Sequence, residues 1–227
     1  MASEPEATAA FFRIEGVLVR ADAVPATAYF ALHRQGFRER AWGLGQVALS
    51  APVYRVLGQS DRVLANRLLY LALRGMSEDR IAELAEEYVQ DMLRERILEG
   101  GVELMRKARQ AGHRIVLIGD GVSQVVDPLL KHLRQVDDCI CNRLEIRDGY
   151  ATGKLLEPVV GGHDSARWAR SYAAERGIDL DRSLAYVAHG PDLLLMTAVG
   201  KPCAVNSDFT LRRAAREADW PMLDYDV

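Results

Sequence analysis

Ala9-Ala10-Phe11-Phe12-Arg13-Ile14-Glu15-Gly16-Val17-Leu18-Val19 is the stretch on which the reading of this chain turns: a short apolar run that stops at two charged residues and a glycine. Its length and its large apolar side chains predict a buried central strand of a parallel sheet, opening at Gly16 into a loop. In open α/β sheets ligands bind at the carboxyl ends of the strands. Arg13 and Glu15 therefore stand where a site is expected.

Outward from this strand, residues 20–100 read as helices only, with breaks at Gly36, Gly43-Leu44-Gly45, Pro52, Gly58 and Gly75. The clearest helix follows Ser77, a plausible N-cap. Glu78 and Asp79 fall in its first turn, and Ile81, Leu84, Ala85, Tyr88, Val89 and Met92 share one face. Val63, Leu64, Leu68 and Leu71 fit another helical stripe, widened by Leu69, Tyr70 and Leu73. Two helices packed on each other would use these faces, as would a partner or a membrane surface.

Beyond Gly100 helices and strands alternate. Residues 102–111 predict a helix stopped by Gly112, and 113–118 a buried strand with Gly119-Asp120-Gly121 at its end. A helix over 123–133 follows. Residues 139–155 predict a β-hairpin turning at Asp148-Gly149. Then come a helix over 164–176, a strand over 184–187, a helix over 192–199 and a strand over 202–205. This order argues an α/β fold, a parallel sheet covered on both faces.

The 227 residues suffice for one large domain or a core with an inserted subdomain, and the net charge of -3 gives no support to a nucleic-acid-binding surface. Cys139, Cys141 and Cys203 are too few for a disulfide framework, which fits a reducing compartment. Cys139 and Cys141 share one strand face, a pattern read here as core packing rather than a metal site. The acidic Met1-Ala2-Ser3-Glu4-Pro5-Glu6 does not resemble a signal peptide, and no apolar run is long enough for a bilayer. The expectation is a cytoplasmic protein.

The opening stretch resembles the first motif, hhhhDxDGTL, of the haloacid dehalogenase (HAD) superfamily in its phosphoserine-phosphatase-like branch, subfamily IB. Ala111-Gly112-His113-Arg114-Ile115-Val116-Leu117-Ile118 resembles the strand before the second motif. Asp148-Gly149-Tyr150-Ala151-Thr152-Gly153-Lys154-Leu155 resembles the branch's DGxxTGxl hairpin, and Ala198-Val199-Gly200-Lys201-Pro202-Cys203-Ala204-Val205-Asn206 its AVGxPxaVN close. Trp220-Pro221-Met222-Leu223-Asp224 fits its C-terminal end. The resemblance implies a Rossmannoid core over 1–19 and 101–227, a helical C1 cap over 20–100, and a β-hairpin.

It also implies a chemistry whose groups are replaced here. In the family a carboxylate attacks phosphorus, a second one two residues on moves the proton, and Mg²⁺, a hydroxyl and a lysine hold the phosphate. Arg13 stands at the nucleophile, Glu15 at the acid/base, Val17 at the threonine, Gly119 at the hydroxyl, Ser165 at the lysine and Ala188 at a metal-binding aspartate. Arginine has no nucleophilic oxygen. Asp120 adds negative charge where the anion would sit, and Mg²⁺ keeps too few ligands, so no metal or other cofactor is expected. The reading is a pseudophosphatase that binds a protein partner or small ligand through cap and cleft. Arg13 would pair with Glu15, Asp120 or Asp192. The alternative is an active phosphate-monoester hydrolase with a rearranged set, Glu15, Asp120, Asp192 and His189. His163 and His189 sit on loops at the implied site edge. Ser165 beside His163 and Asp164 lacks the Gly-x-Ser-x-Gly context of a hydrolase elbow.

Overall fold

The computed structural model describes residues 7–225, so the N-terminal hexapeptide lies outside the described residues. The first strand, β1 (Ala9–Arg13), is fully buried. After it come α1 (Ala23–Leu32), α2 (Phe37–Leu57), α3 (Arg62–Tyr70), α4 (Glu78–Tyr88) and α5 (Glu99–Gln110). Then β2 (Arg114–Val122), α6 (Ser123–Leu130), β3 (Asp138–Asn142), β4 (Leu144–Arg147) and β5 (Tyr150–Leu155) follow. The chain continues through α7 (His163–Arg176), β6 (Leu184–Val187), α8 (Leu193–Thr197), β7 (Lys201–Val205), α9 (Phe209–Glu217) and β8 (Met222–Leu223).

Six strands form one parallel sheet in the order β3-β2-β1-β6-β7-β8, while β4 and β5 pair antiparallel on their own. Alternation along β1 divides the core. Ala10 and Phe12 face one cluster with Ile115, Leu117 and the helices from α1 to α6; Ala9 and Phe11 face the other, with Ala169, Leu195 and Leu211 of α7, α8 and α9. With both faces covered, the strand needs no polar side.

Four expectations are corrected. The helix α2 runs unbroken through Gly43, Gly45 and Pro52. Packing outweighs propensity there, because a Cβ on Gly43 would come within 3.2 Å of the Ala31 Cβ, so the glycine permits close contact with α1. The strand β2 does not stop before Gly119 but continues through Gly119-Asp120-Gly121 to Val122, with its register to β3 shifting between Ile118 and Val122. Cys139 lies not in the hairpin but in β3, a parallel edge strand of the main sheet; the hairpin starts at Leu144. The apolar face after Ser77 ends early, since α4 passes at Val89–Leu93 into a π-helical turn that leaves Met92 exposed.

Candidate functional site

At the carboxyl end of β1 the backbone reverses tightly. Gly16 has φ +79°, and its N–H donates to the Val19 carbonyl at 2.9 Å. A Cβ on Gly16 would lie 2.6 Å from the Ala188 Cβ, so the residue must be glycine for conformation and for space. This turn sets Arg13 and Glu15 beside two neighbouring strand ends. Asp120 comes from β2, and Asp192 from the turn between β6 and α8.

Arg13, 1% exposed, lies among three carboxylates. Its Nη2 is 2.9 Å from Asp120 Oδ2 and 3.2 Å from Glu15 Oε2, and its Nε is 3.1 Å from Asp192 Oδ2. Glu15 uses its other oxygen, Oε1, to accept the backbone N–H groups of Asp120 at 2.8 Å and Gly121 at 3.2 Å. The cluster is thus tied to the extended tip of β2. Arg62, at the start of α3, brings a second guanidinium 3.7 Å from Asp120 Oδ2 and lies over the Tyr54 ring at 4.8 Å.

The site holds three carboxylates against two guanidiniums, and burial decides how that imbalance is met. Desolvation disfavours the charge on Arg13, yet Asp120, Asp192 and Glu15 together more than offset it and raise its pKa. Burial pushes the Glu15 carboxyl up to about 7 against the pull of Arg13, with Asp120 adding to the rise. Asp192 is also raised, by burial, with Arg13 opposing. Glu15 is thus the acid through which a proton would reduce the excess of negative charge.

Four further residues, none of them read from the sequence as a site residue, close the site. Asn142 Nδ2 donates to the Asp120 carbonyl at 2.8 Å and to the Val160 carbonyl at 3.2 Å, and its Oδ1 accepts from Val160 N–H at 2.8 Å. Asn66 Nδ2 donates to the Val160 carbonyl at 2.9 Å, and the Tyr70 hydroxyl donates to the Asp120 carbonyl at 3.1 Å. With Arg62 these bring α3 down onto the sheet's edge. A Cβ on Gly161 would meet Arg62 Cγ at 2.7 Å. No motif marks them, since an asparagine on an edge strand and an arginine opening a helix carry no distinctive spacing.

The other sequence candidates are placed as follows. Gly119 packs so that a Cβ would meet Ile14 Cδ1 at 2.8 Å; Val17 and Ala188 are buried in the core. Ser165 is buried, with its hydroxyl unpartnered among the described residues. His163 is exposed at the start of α7. His189 Nδ1 is 3.7 Å from Asp208 Oδ2, while Asp192 pairs with Arg13.

The residues present do not fit Mg²⁺. Among the described residues no group of three or more His, Cys, Asp or Glu side chains is arranged to hold a metal. The three acids at the strand ends already face Arg13, and a divalent ion beside it would pay like-charge repulsion. The cavity next to Glu15, lined by Asp22, Tyr70, Tyr88 and Val126, is only about 40 Å³. That is room for a water or two, not for a phosphorylated metabolite.

A parallel α/β sheet with a helical stretch inserted after its first strand, and with charged residues converging at the strand ends, defines the class. The chain belongs to the haloacid dehalogenase-like hydrolase family, whose model matches residues 10–192. It is 28% identical over 221 residues to the "Inhibition of morphological differentiation protein" of Streptomyces azureus, covering 96% of this chain and 78% of that one. It is also 28% identical over 222 residues to phosphoserine phosphatase SerB1 of Mycobacterium tuberculosis, covering 96% and 71%. Among solved structures, a Bordetella pertussis protein of unknown function superposes with TM-score 0.82 at 22% identity, over 97% of this chain and 99% of that one. A substrate-bound phosphoserine phosphatase does so with TM-score 0.73 at 16% identity, over 98% and 95%.

Proposed function

We propose that this chain is a pseudophosphatase, a HAD-fold protein that does not hydrolyse phosphate esters and acts as a binding or regulatory module. The observation that carries the reading is Arg13: a buried guanidinium takes the place of the nucleophilic carboxylate and ties up the remaining acids in ion pairs. No group at that position can form an acyl-phosphate, and Mg²⁺ is proposed not to bind. The cap is taken as 20–100 and the core as the rest. A protein partner would use the cap, where α2 leaves Phe37, Trp42, Leu49 and Val56 exposed. The free cysteines support a reducing compartment, and the cytoplasm is the location proposed. No helix among the described residues is long and apolar enough to cross a membrane.

The second reading, an active hydrolase, draws on the relatives' names and on Glu15, whose carboxyl near 7 suits acid/base work. An assay of aryl-phosphate hydrolysis with and without Mg²⁺ separates the two. The pseudophosphatase reading expects no turnover above background. Metal-dependent turnover abolished by Glu15→Gln or Asp192→Asn would establish the hydrolase instead.

A further inference from the structure

We propose that the cleft between the C-terminal end of α1 and the N-terminal end of α4 is a binding site for a small phosphate-bearing anion. Its volume is about 370 Å³, and its walls include Arg34, Arg74, Ser77, Arg80 and Tyr150, with Glu39 as its acidic member. It shares no lining residue with the Arg13 cluster and stands apart from the function proposed above.

Arg34 carries the inference. It is 7% exposed, and among the described residues no carboxylate lies within ion-pair distance of it. Its Nη2 donates to the Arg74 carbonyl, while its buried Nε has no hydrogen-bond partner among the described residues. Burial pulls its pKa down, and Glu39 offsets this only in part. A nearly buried guanidinium with one donor unmet and no paired carboxylate is costly unless a counter-charge is supplied. Glu39 opposes an anion there, but the other charged side chains of the cleft favour one. Arg74 is exposed at the wall, and Arg80, which also pairs with Glu83, reaches it from the first turn of α4. The positive end of the α4 dipole adds to them.

The donors at hand favour phosphate over a single carboxylate. Ser77 Oγ accepts the Arg80 N–H at 3.4 Å, so its own O–H remains free to donate. The Tyr150 hydroxyl is a second neutral donor. The N–H groups of Gly75, Met76 and Glu78 are already given to the carbonyls of Ala151, Leu73 and Gly149, so recognition falls to side chains rather than to a backbone nest. What Arg34 and Arg80 keep beside their bonds to the Arg74 carbonyl and Glu83, together with the Arg74 guanidinium and two hydroxyls, exceeds what two carboxylate oxygens need and suits a phosphate dianion. Such a ligand would join α1, α4 and the hairpin.

The test is a titration with inorganic phosphate, read by calorimetry and by Tm, against sodium chloride at matched ionic strength. A saturable response specific to phosphate is expected. It should weaken about tenfold or more in Arg34→Gln and in the double variant Arg74→Gln/Arg80→Gln, and persist in Asp192→Asn. The double variant changes side chains at the cleft's outer wall and keeps the test valid if Arg34→Gln fails to fold. No saturable response up to about 20 mM phosphate would overturn the site. So would a response that survives the double variant, or one lost in Asp192→Asn, which would place the anion at the other centre.

Discussion

Removing the Arg13 side chain would leave Glu15, Asp120 and Asp192 facing one another with little water to screen them. Breaking a buried ion cluster from one side costs about 3–5 kcal/mol, so Arg13→Ala is expected to lower Tm by roughly 10 °C for a chain of this size. Ser165→Ala removes a buried hydroxyl that has no partner among the described residues, and thermal unfolding should show it neutral or slightly stabilising. Glu15 gives a pH signature of opposite sign to the ordinary salt-bridged acid. Its folded pKa, about 7, lies above the unfolded value near 4.5, so the native state binds the proton more tightly. The associated stability is complete below about pH 4.5 and is lost as pH rises through 7, about 3 kcal/mol in all. Asp192, raised for the same reason, acts in the same direction. Unfolding curves from pH 5 to 8 should therefore show wild type weakening with pH, and Glu15→Gln flattening that slope. An unchanged slope in the variant would remove Glu15 as the titrating group.

At the scale of elements, the site depends on how β2, β3 and α3 are tied together. Asn142 supplies three buried hydrogen bonds between the tip of β2 and the segment around Val160. Replacing it with alanine leaves the Val160 N–H without its partner, while the Asp120 and Val160 carbonyls keep Tyr70 and Asn66 as donors, an expected loss of about 1–3 kcal/mol in chemical denaturation. The helix α3 begins at an ordinary cap: Asp61 Oδ1 accepts the Leu64 N–H at 2.8 Å. Asp61→Ala should cost about 1 kcal/mol by the same measurement. Its effect should add to that of Asn142→Ala if the two devices are independent.

For the whole molecule, the fold is that of this family, and the proposed pseudophosphatase reading has charge pairing in place of a catalytic centre. Millimolar Mg²⁺ should leave Tm unchanged, since an ion bound only by the native state would have to raise it. On that reading Arg13→Asp should not produce phosphatase turnover: it restores one carboxylate, while Gly119, Ser165 and Ala188 stand where the family resemblance implies the hydroxyl, the lysine and the metal ligand, and such groups act as a unit. Substantial turnover from this one change would mean that other residues supply those roles.

The sequence by itself determined the parallel sheet, the helical stretch after β1 and the hairpin turn at Asp148-Gly149, because these rest on local periodicity and turn chemistry that neighbours along the chain settle among themselves, and its motifs carried the resemblance to the family. Arg13 and Glu15 were visible for the same reason, being two charges at the end of an apolar run. Tertiary structure alone decided that α2 passes through Gly43 and Pro52, that β2 extends past Gly119, and that Cys139 joins the main sheet rather than the hairpin. It also brought in Arg62, Asn66, Tyr70 and Asn142, and it turned His189 toward Asp208. These outcomes depend on contacts between residues far apart in the chain, as between Asn66 and Val160, where the gain from packing and from satisfying buried polar groups outweighs what any segment prefers alone.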